Sequence, residues 1–288
     1  MSLPTSPPPP PRSASASSPS AAISLNVVPA RTGVAWVKQG IKTFFKQPLA
    51  MGGLFFMFMA LISLVSQVPF IGSALALIVL PAATVGLMAA TRTAVDGKFP
   101  MPAVLFTAFR SGAKKTQSIL MLGALYAVGF LLVLGVSALF DGGQFASFYL
   151  SGGAMTKEIV STSEFQMATW AAMALYLPLS LMFWHSPALV HWHDVTPVKA
   201  LFFSFIACLK NFAAMVVYFF MWLAVFSLGG LVLTLLAVAT GSESAVKFIM
   251  LPASLFMATM FFTSIYFTFK DSFMTPSTTL TPSNPSAP

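Results

Sequence analysis

Six long runs of apolar residues, separated by shorter polar segments, dominate the pattern along the chain. Each run has about 20 residues, the length at which an α-helix crosses roughly 30 Å of hydrocarbon. Because lipid offers no partner to free backbone groups, each run is expected to be helical. The pattern therefore predicts an all-α polytopic membrane protein with six transmembrane helices, at approximately residues 50–68, 72–90, 119–140, 168–190, 213–239 and 248–269.

Composition and the two ends of the chain set the limits of this membrane domain. Hydrophobic residues make up 57% of the chain and charged residues 8%, whereas a soluble domain carries about 25% charged residues. A soluble fold is therefore excluded for the bulk of the chain. Residues 1–25 form a tail rich in Pro and Ser that is expected to be disordered, as is the tail 273–288. Residues 26–272 form the membrane domain.

The positions of the charges predict an orientation. Thirteen of the 15 Lys and Arg residues fall in the segments on one side of the predicted spans, and none of the seven Asp and Glu residues lies inside a span. Positive residues are enriched in cytoplasmic loops, so this side is expected to be cytoplasmic, with both termini inside. The net charge of +8 then indicates anionic membrane lipid as the partner, and no nucleic acid.

Three stretches before the odd-numbered spans look like basic amphipathic helices. In the first, at 34–46, the spacing places Val34, Val37, Ile41 and Phe45 on one face and Lys38, Lys42 and Lys46 on another. The stretches 102–117 and 197–211 have a similar pattern. Such helices lie on anionic headgroups or simply anchor the neighbouring span. The predicted lipid-interface residues are Lys38, Lys42, Lys46, Arg110, Lys114, Lys115 and Lys210.

An internal repeat follows from a Leu-Pro pair in each even-numbered span. The prolines are Pro81, Pro178 and Pro252, and each follows a basic stretch and an odd-numbered span. The predicted unit, present three times, is an interfacial helix plus a span pair. Proline inside a membrane helix produces a kink. The three kinks are interpreted either as packing features of the fold or as hinges that line a path for a solute.

All three histidines of the chain lie between residues 185 and 193. His185, His191 and His193, followed by Asp194, are weak candidates for a metal site, because imidazole and carboxylate groups bind zinc and similar metals. Their spacing does not place them on one helix face. The alternative is an interfacial belt with Trp184 and Trp192. No metal and no cofactor is therefore expected.

Several strings carry a family resemblance, first of all the Asn-Val-Val-Pro-Ala-Arg motif at 26–31, then WVKQG at 36–40 and KQP at 46–48. With DGG at 141–143 and KALFFS at 199–204, the chain resembles a group of uncharacterised multi-pass inner-membrane proteins of betaproteobacteria. More distantly, it is similar to the membrane domains attached to some glycerophosphodiester phosphodiesterases, without their catalytic barrel. The resemblance implies a bacterial inner membrane location and supplies no site residue.

Function is predicted in general terms. The chain has no P-loop, no Gly-x-Ser-x-Gly and no His-Glu-x-x-His motif, and its spans lack ionisable Asp, Glu, Lys and Arg residues. We therefore expect a non-enzymatic protein that interacts with anionic lipids or acts as a membrane scaffold. A channel or transporter for an uncharged or lipidic solute is one alternative, and a metal- or haem-binding protein is another. A homo-oligomer or a protein partner stays open.

Overall fold

The computed structural model describes residues 24–152, 155–241 and 243–273, and within these ranges it contains helices and no strand. Six helices are long and apolar enough to cross a membrane, which confirms the predicted all-α polytopic class. The predicted tails lie outside the described residues except for positions 24, 25 and 273. The spans belong to α2 (Pro48–Ser66), α3 (Gly72–Val95), α4 (Ala113–Asp141), α7 (Ser163–Trp184), α10 (Phe212–Thr240) and α11 (Glu243–Phe273).

Shorter helices connect these spans. A short helix precedes the first span, a 3-10 helix precedes the third, and further short helices follow the third and fourth spans. They are α1 (Thr32–Lys46), the 3-10 helix (Pro102–Phe109), α5 (Gln144–Ser151), α6 (Lys157–Val160), α8 (Ser186–His193) and α9 (Pro197–Lys210). The order of helix and span pair agrees with the predicted unit, while the repeat itself stays a prediction.

Both ends of the membrane domain lie at the same end of the bundle. The main-chain N–H of Asn26 donates to the carbonyl oxygen of Ser272 at 2.9 Å. At this end the side chain of Gln47 also donates to the carbonyl oxygen of Lys98 at 3.2 Å. We call this end, which carries α1, the 3-10 helix and α9, the basic end. These contacts bring residues 26 and 272 together, while the side of the membrane on which the termini lie stays a prediction.

The first helix, α1, is docked into the bundle on one side. Trp36 and Phe44 are fully buried on this side. Two glycines make the close approach, because a Cβ on Gly33 would collide with the carbonyl of Ala214 in α10 and one on Gly40 with Ser264 in α11. The buried side is Gly33, Trp36, Val37, Gly40, Thr43 and Phe44.

The docked side of α1 does not coincide with its predicted apolar face. Val37 is buried, but Phe45 is 63% exposed, and Val34 and Ile41 are only partly buried. The reason is steric, since the glycines and not the largest apolar side chains determine which side of α1 can approach the neighbouring backbones.

The prediction of a single interfacial helix over 102–117 was wrong. The 3-10 helix ends at Phe109, and Gly112 then takes a φ of +97°, a conformation that favours glycine because it lacks a Cβ. The long helix α4 begins at the next residue, so Lys114 and Lys115 lie in its first turn. The stretch 197–211, by contrast, forms α9 almost as predicted.

The extent to which side chains are buried differs between parts of the bundle. Span α3 lies between α2, α4, α11 and the 3-10 helix, and much of its surface is buried. The second half of α10 instead leaves large apolar side chains such as Leu228 and Val238 exposed. A helix surface of this kind is expected to contact lipid. The spans are therefore joined most closely toward the basic end.

At the opposite end, Asp141 organises the connection after α4. Its Oδ1 accepts from the main-chain N–H of Gly143 at 2.9 Å and its Oδ2 from that of Phe145 at 2.6 Å. The two glycines that follow Asp141 both have positive φ, which turns the chain sharply into α5. Asp141 is thus a buried cap that fixes the long outer connection to the third span.

Candidate functional site

The most prominent chemical feature is a set of exposed cationic side chains at the basic end. Lys38, Lys42 and Lys46 form an exposed stripe on the side of α1 that faces away from its docked side. Within the described ranges, none of the predicted interface cations other than Lys115 forms an ion pair with an acidic side chain. We call this set the basic surface, and its members are Lys38, Lys42, Lys46, Arg110, Lys114 and Lys210.

Lys115 was predicted to belong to the lipid interface, but in the structure its side chain binds to other groups of the protein. Its Nζ lies 3.0 Å from Oδ1 of Asp194 and donates to the carbonyl oxygen of His191 at 3.0 Å. These groups form the C-terminal end of α8, where a cation interacts favourably with the last carbonyls of the helix. Lys115 therefore ties the start of α4 to the end of α8.

The basic surface is held by a polar clamp that joins segments far apart in sequence. The side chain of Asn211, between α9 and α10, accepts from the main-chain N–H of Val28 at 2.9 Å. Its Nδ2 donates to the carbonyl oxygen of Asn26 at 3.1 Å and to Oγ of Ser272 at 3.3 Å. Asn211 is 2% exposed, so its amide is buried and its hydrogen bonds are made within the protein.

A second contact fixes α1 against the end of α11. The indole N–H of Trp36 donates to Oδ2 of Asp271 at 2.8 Å, and the side chain of Asn26 donates to the main-chain carbonyl of Asp271 at 3.3 Å. The 26–31 motif carries the family resemblance and has no predicted role. Its asparagine and the tryptophan that follows join the two ends of the membrane domain.

Aromatic side chains with polar atoms continue the clamp into the bundle. The hydroxyls of Tyr218 and Ser264 lie 2.7 Å apart, and the indole N–H of Trp222 donates to Oγ of Ser264 at 3.1 Å. Trp184, predicted as part of an interfacial belt, packs instead against Tyr218 and donates to Oγ1 of Thr268 at 3.1 Å. These bonds join α7, α10 and α11 without any charged group.

The three histidines do not form a metal site in the part of the chain that the structure describes, where no three His, Cys, Asp or Glu side chains are grouped to hold a metal ion. His185 is buried at the start of α8, where its main-chain N–H donates to Oγ of Ser204 at 2.9 Å. Its ring packs against Phe269 and Phe273, and the ring of His193 also packs against Phe269. The three histidines therefore lie in separate surroundings within the described residues.

The cysteine of the chain is buried in α9. The Sγ of Cys208 lies 3.7 Å from the carbonyl oxygen of Leu181 in α7, and the residue is 2% exposed. Burial raises the pKa of the Cys208 thiol to about 12. Since the thiolate is the reactive form, this cysteine is expected to be a packing residue and no nucleophile.

The three Leu-Pro prolines lie inside their helices, as predicted, but in different surroundings. Pro81 of α3 is buried, whereas Pro178 of α7 and Pro252 of α11 are exposed on the outside of the bundle. The three prolines therefore do not line one common path. Their separate surroundings favour the interpretation of the kinks as packing features.

Pro81 borders a cavity that is partly open to the surface of the bundle. The cavity has a volume of about 200 Å³ and lies between α3, α4, α7 and α11. Its wall is mostly apolar and aromatic, with hydroxyl groups from Thr84, Tyr126, Tyr176 and Ser180. We call it the intramembrane cavity. No charged residue lies among the described residues of its wall.

Comparison with known proteins supports the membrane location. The chain is 41% identical over 249 residues to a protein of Burkholderia thailandensis named "Probable inner membrane protein", and the match covers 85% of this chain and 92% of that relative. No family model and no solved structure matches the chain, so the likeness to phosphodiesterase membrane domains stays a prediction. With its six candidate spans, the chain belongs to the same family of bacterial multi-pass inner membrane proteins as this relative.

Proposed function

We propose that the protein is a non-enzymatic inner-membrane protein that binds anionic lipid through its basic surface, with that surface and both termini in the cytoplasm. The observation that carries the proposal is the exposed stripe Lys38, Lys42 and Lys46 on a helix whose other side is buried. A positive charge close to an anionic leaflet contributes about 1 kcal/mol to binding. The stripe therefore concentrates this attraction along one line.

The rigid attachment of α1 supports the proposal. Because Trp36 and Asn26 bond to residues at the end of α11, the lysine stripe has a fixed position relative to the spans. A fixed cationic surface next to a membrane can also hold protein partners, so a scaffold role follows from the same geometry. Binding of lipid is the primary role, since it needs only the charges that the chain itself presents.

The test compares lipid selectivity between matched variants in nanodiscs. Purified protein is placed in neutral phosphatidylcholine with a small fraction of fluorescent phosphatidylglycerol, and energy transfer from the tryptophans measures how much phosphatidylglycerol lies at the protein. Changing Lys38, Lys42 and Lys46 together to Gln is expected to lower the preference for phosphatidylglycerol by up to about 100-fold at low salt, with the effect fading as salt rises. The same three residues changed to Arg are the control and should keep it.

An unchanged preference in the triple Gln variant would contradict lipid binding by α1. Lys157→Gln, an exposed cation in α6 at the opposite end, serves as a second control and should have no effect. The orientation is tested separately with reporters fused after Pro288. Cytoplasmic fluorescence is expected, and alkaline phosphatase activity at that position would overturn the assignment.

A channel or transporter for an uncharged or lipidic solute is the second candidate, and the intramembrane cavity beside Pro81 favours it. Flux of a neutral solute such as glycerol into proteoliposomes tests this candidate. Pro81→Ala is expected to change the flux, while Pro252→Ala on the outer surface should not. Equal flux in protein-free liposomes would remove this candidate.

A further inference from the structure

We infer that the intramembrane cavity binds the head of a neutral lipid that carries carbonyl oxygen atoms, a role separate from the basic surface. The described wall of the cavity has no charged side chain. Transfer of a charged group into such surroundings without a partner is strongly unfavourable. A phosphate headgroup is therefore excluded, and an uncharged lipid of the membrane fits the cavity.

The volume of the cavity limits how much of that molecule enters. Pockets that enclose a drug-sized ligand have roughly 300–1,000 Å³. At about 200 Å³, this cavity accommodates one end of a longer lipid, and the remaining chain must lie outside. Tyr176 in the α7 wall is 40% exposed on the outer surface of the bundle. The wall at Tyr176 therefore borders both the cavity and the surrounding lipid, and it provides the place where a chain can pass.

The polar groups of the wall show which kind of head is recognised. The hydroxyl of Thr84 donates to the carbonyl oxygen of Leu80 at 2.9 Å, and that of Ser180 donates to Leu177 at 2.8 Å. The protons of these hydroxyls are already engaged along their own helices. The phenols of Tyr126 and Tyr176 remain as donors.

Each phenol has one hydroxyl proton that it can donate to a ligand. The matching group on the ligand is a hydrogen-bond acceptor without charge, such as a carbonyl oxygen. Aromatic rings from α7 and α11, including Trp184 and Phe261, form the flat surfaces beside it. Two membrane lipids share this chemistry, namely an isoprenoid quinone, whose ring is flat, and a diacylglycerol, whose carbonyls are in esters.

The test measures binding of one probe from each source by native mass spectrometry in a neutral detergent. The probes are decylubiquinone and dioctanoylglycerol. Thr84→Leu fills the cavity and is expected to lower binding at least tenfold. Thr234→Leu is the matched control, because Thr234 makes the same bond to its own helix at 2.9 Å on an exposed part of α10. It should bind as the wild type does.

The phenols are tested with isosteric changes. The double variant Tyr126→Phe and Tyr176→Phe is expected to weaken binding about fivefold, the effect of a typical hydrogen bond. Tyr149→Phe in α5, which is exposed and outside the cavity, is the control and should leave binding unchanged. Elution as a single species and an unchanged helical circular dichroism signal show that the variants are folded.

Each outcome decides the inference. Binding of the quinone alone or of the diacylglycerol alone supports it and identifies the source of the head. If neither probe binds to the wild type, or if Thr84→Leu binds as well as Thr234→Leu does, the inference is overturned. The triple Gln variant of the α1 stripe should still bind the probes, so failure of the basic surface and failure of the cavity are told apart.

Discussion

Replacing Asn211 with Ala removes the centre of the polar clamp. Its side chain makes three hydrogen bonds, to the main chain of Asn26, to the main chain of Val28 and to the hydroxyl of Ser272. A typical hydrogen bond contributes about 1 kcal/mol net. Two of these bonds hold residues 26–28, so their loss predicts that the docked state of these residues is destabilised by about 2 kcal/mol.

Hydrogen exchange measures this loss locally. A change of 1.4 kcal/mol corresponds to a factor of ten, so the amide of Val28 is expected to exchange about 30-fold faster in Asn211→Ala than in the wild type. The amides of α3 should exchange as before, because the change does not touch that helix. Peptide-level mass spectrometry on the purified protein resolves the two regions.

Ser272→Ala provides a graded control for the clamp. It removes the longest of the three bonds, at 3.3 Å, and is expected to raise the exchange rate at Val28 by about tenfold or less. Gln117→Ala, at an exposed amide in the first part of α4, should have no effect. If Asn211→Ala leaves the exchange at Val28 unchanged, the clamp does not hold the chain ends and the argument for a rigid basic surface is refuted.

Three further predictions test other contacts. Burial raises the pKa of the Cys208 thiol from its ordinary value near 9 to about 12, so folded protein at pH 8 should react with maleimide about 1,000-fold more slowly than unfolded protein. Burial of the neutral Cys208 thiol contributes to the free energy of unfolding. This contribution should be complete below about pH 9 and should decrease as the pH rises from 9 to 12, which denaturation at several pH values measures. Lys115→Met should destabilise the contact of α4 with α8 by about 1 kcal/mol in a thermal melt, and Asp194→Asn should add little to it in a double-mutant cycle. Asp141→Ala removes two bonds to main-chain N–H groups and should make the connection after α4 more sensitive to protease, whereas Glu164→Ala should not.

The sequence predicts the spans because hydrophobic length is a local property. A run of about 20 apolar residues has few alternatives to a membrane helix, and all six runs become helices. The lysine stripe of α1 is also visible, since i, i+4 spacing places side chains on one side of a helix. The positions of Lys38, Lys42 and Lys46 on an exposed side follow directly from that spacing.

Contacts between distant segments could not be predicted in the same way. The clamp joins Val28 to Asn211 across 183 positions, and nothing in either local pattern specifies the other. The role of Lys115 was mistaken because a lysine beside a span has the same pattern whether it faces lipid or an aspartate. The docked side of α1 could not be predicted because the deciding residues are glycines, which carry no hydrophobic signal. Asn211 itself was one signal in the sequence, since an asparagine between two apolar helices needs hydrogen-bond partners.

The two proposed binding features depend on different parts of the same clamp. At the basic end, Trp36 and Asn26 fix α1 to the end of α11 and thereby hold the lysine stripe in place. Deeper in the bundle, Trp184 contacts both the intramembrane cavity and Thr268 of α11. Because α11 takes part in both contacts, replacing Asp271 would displace the end of α11. This displacement would move the lysine stripe before it reached the cavity. The cavity wall is attached by separate bonds at Ser264 and Thr268, so it should keep its shape when the stripe is released.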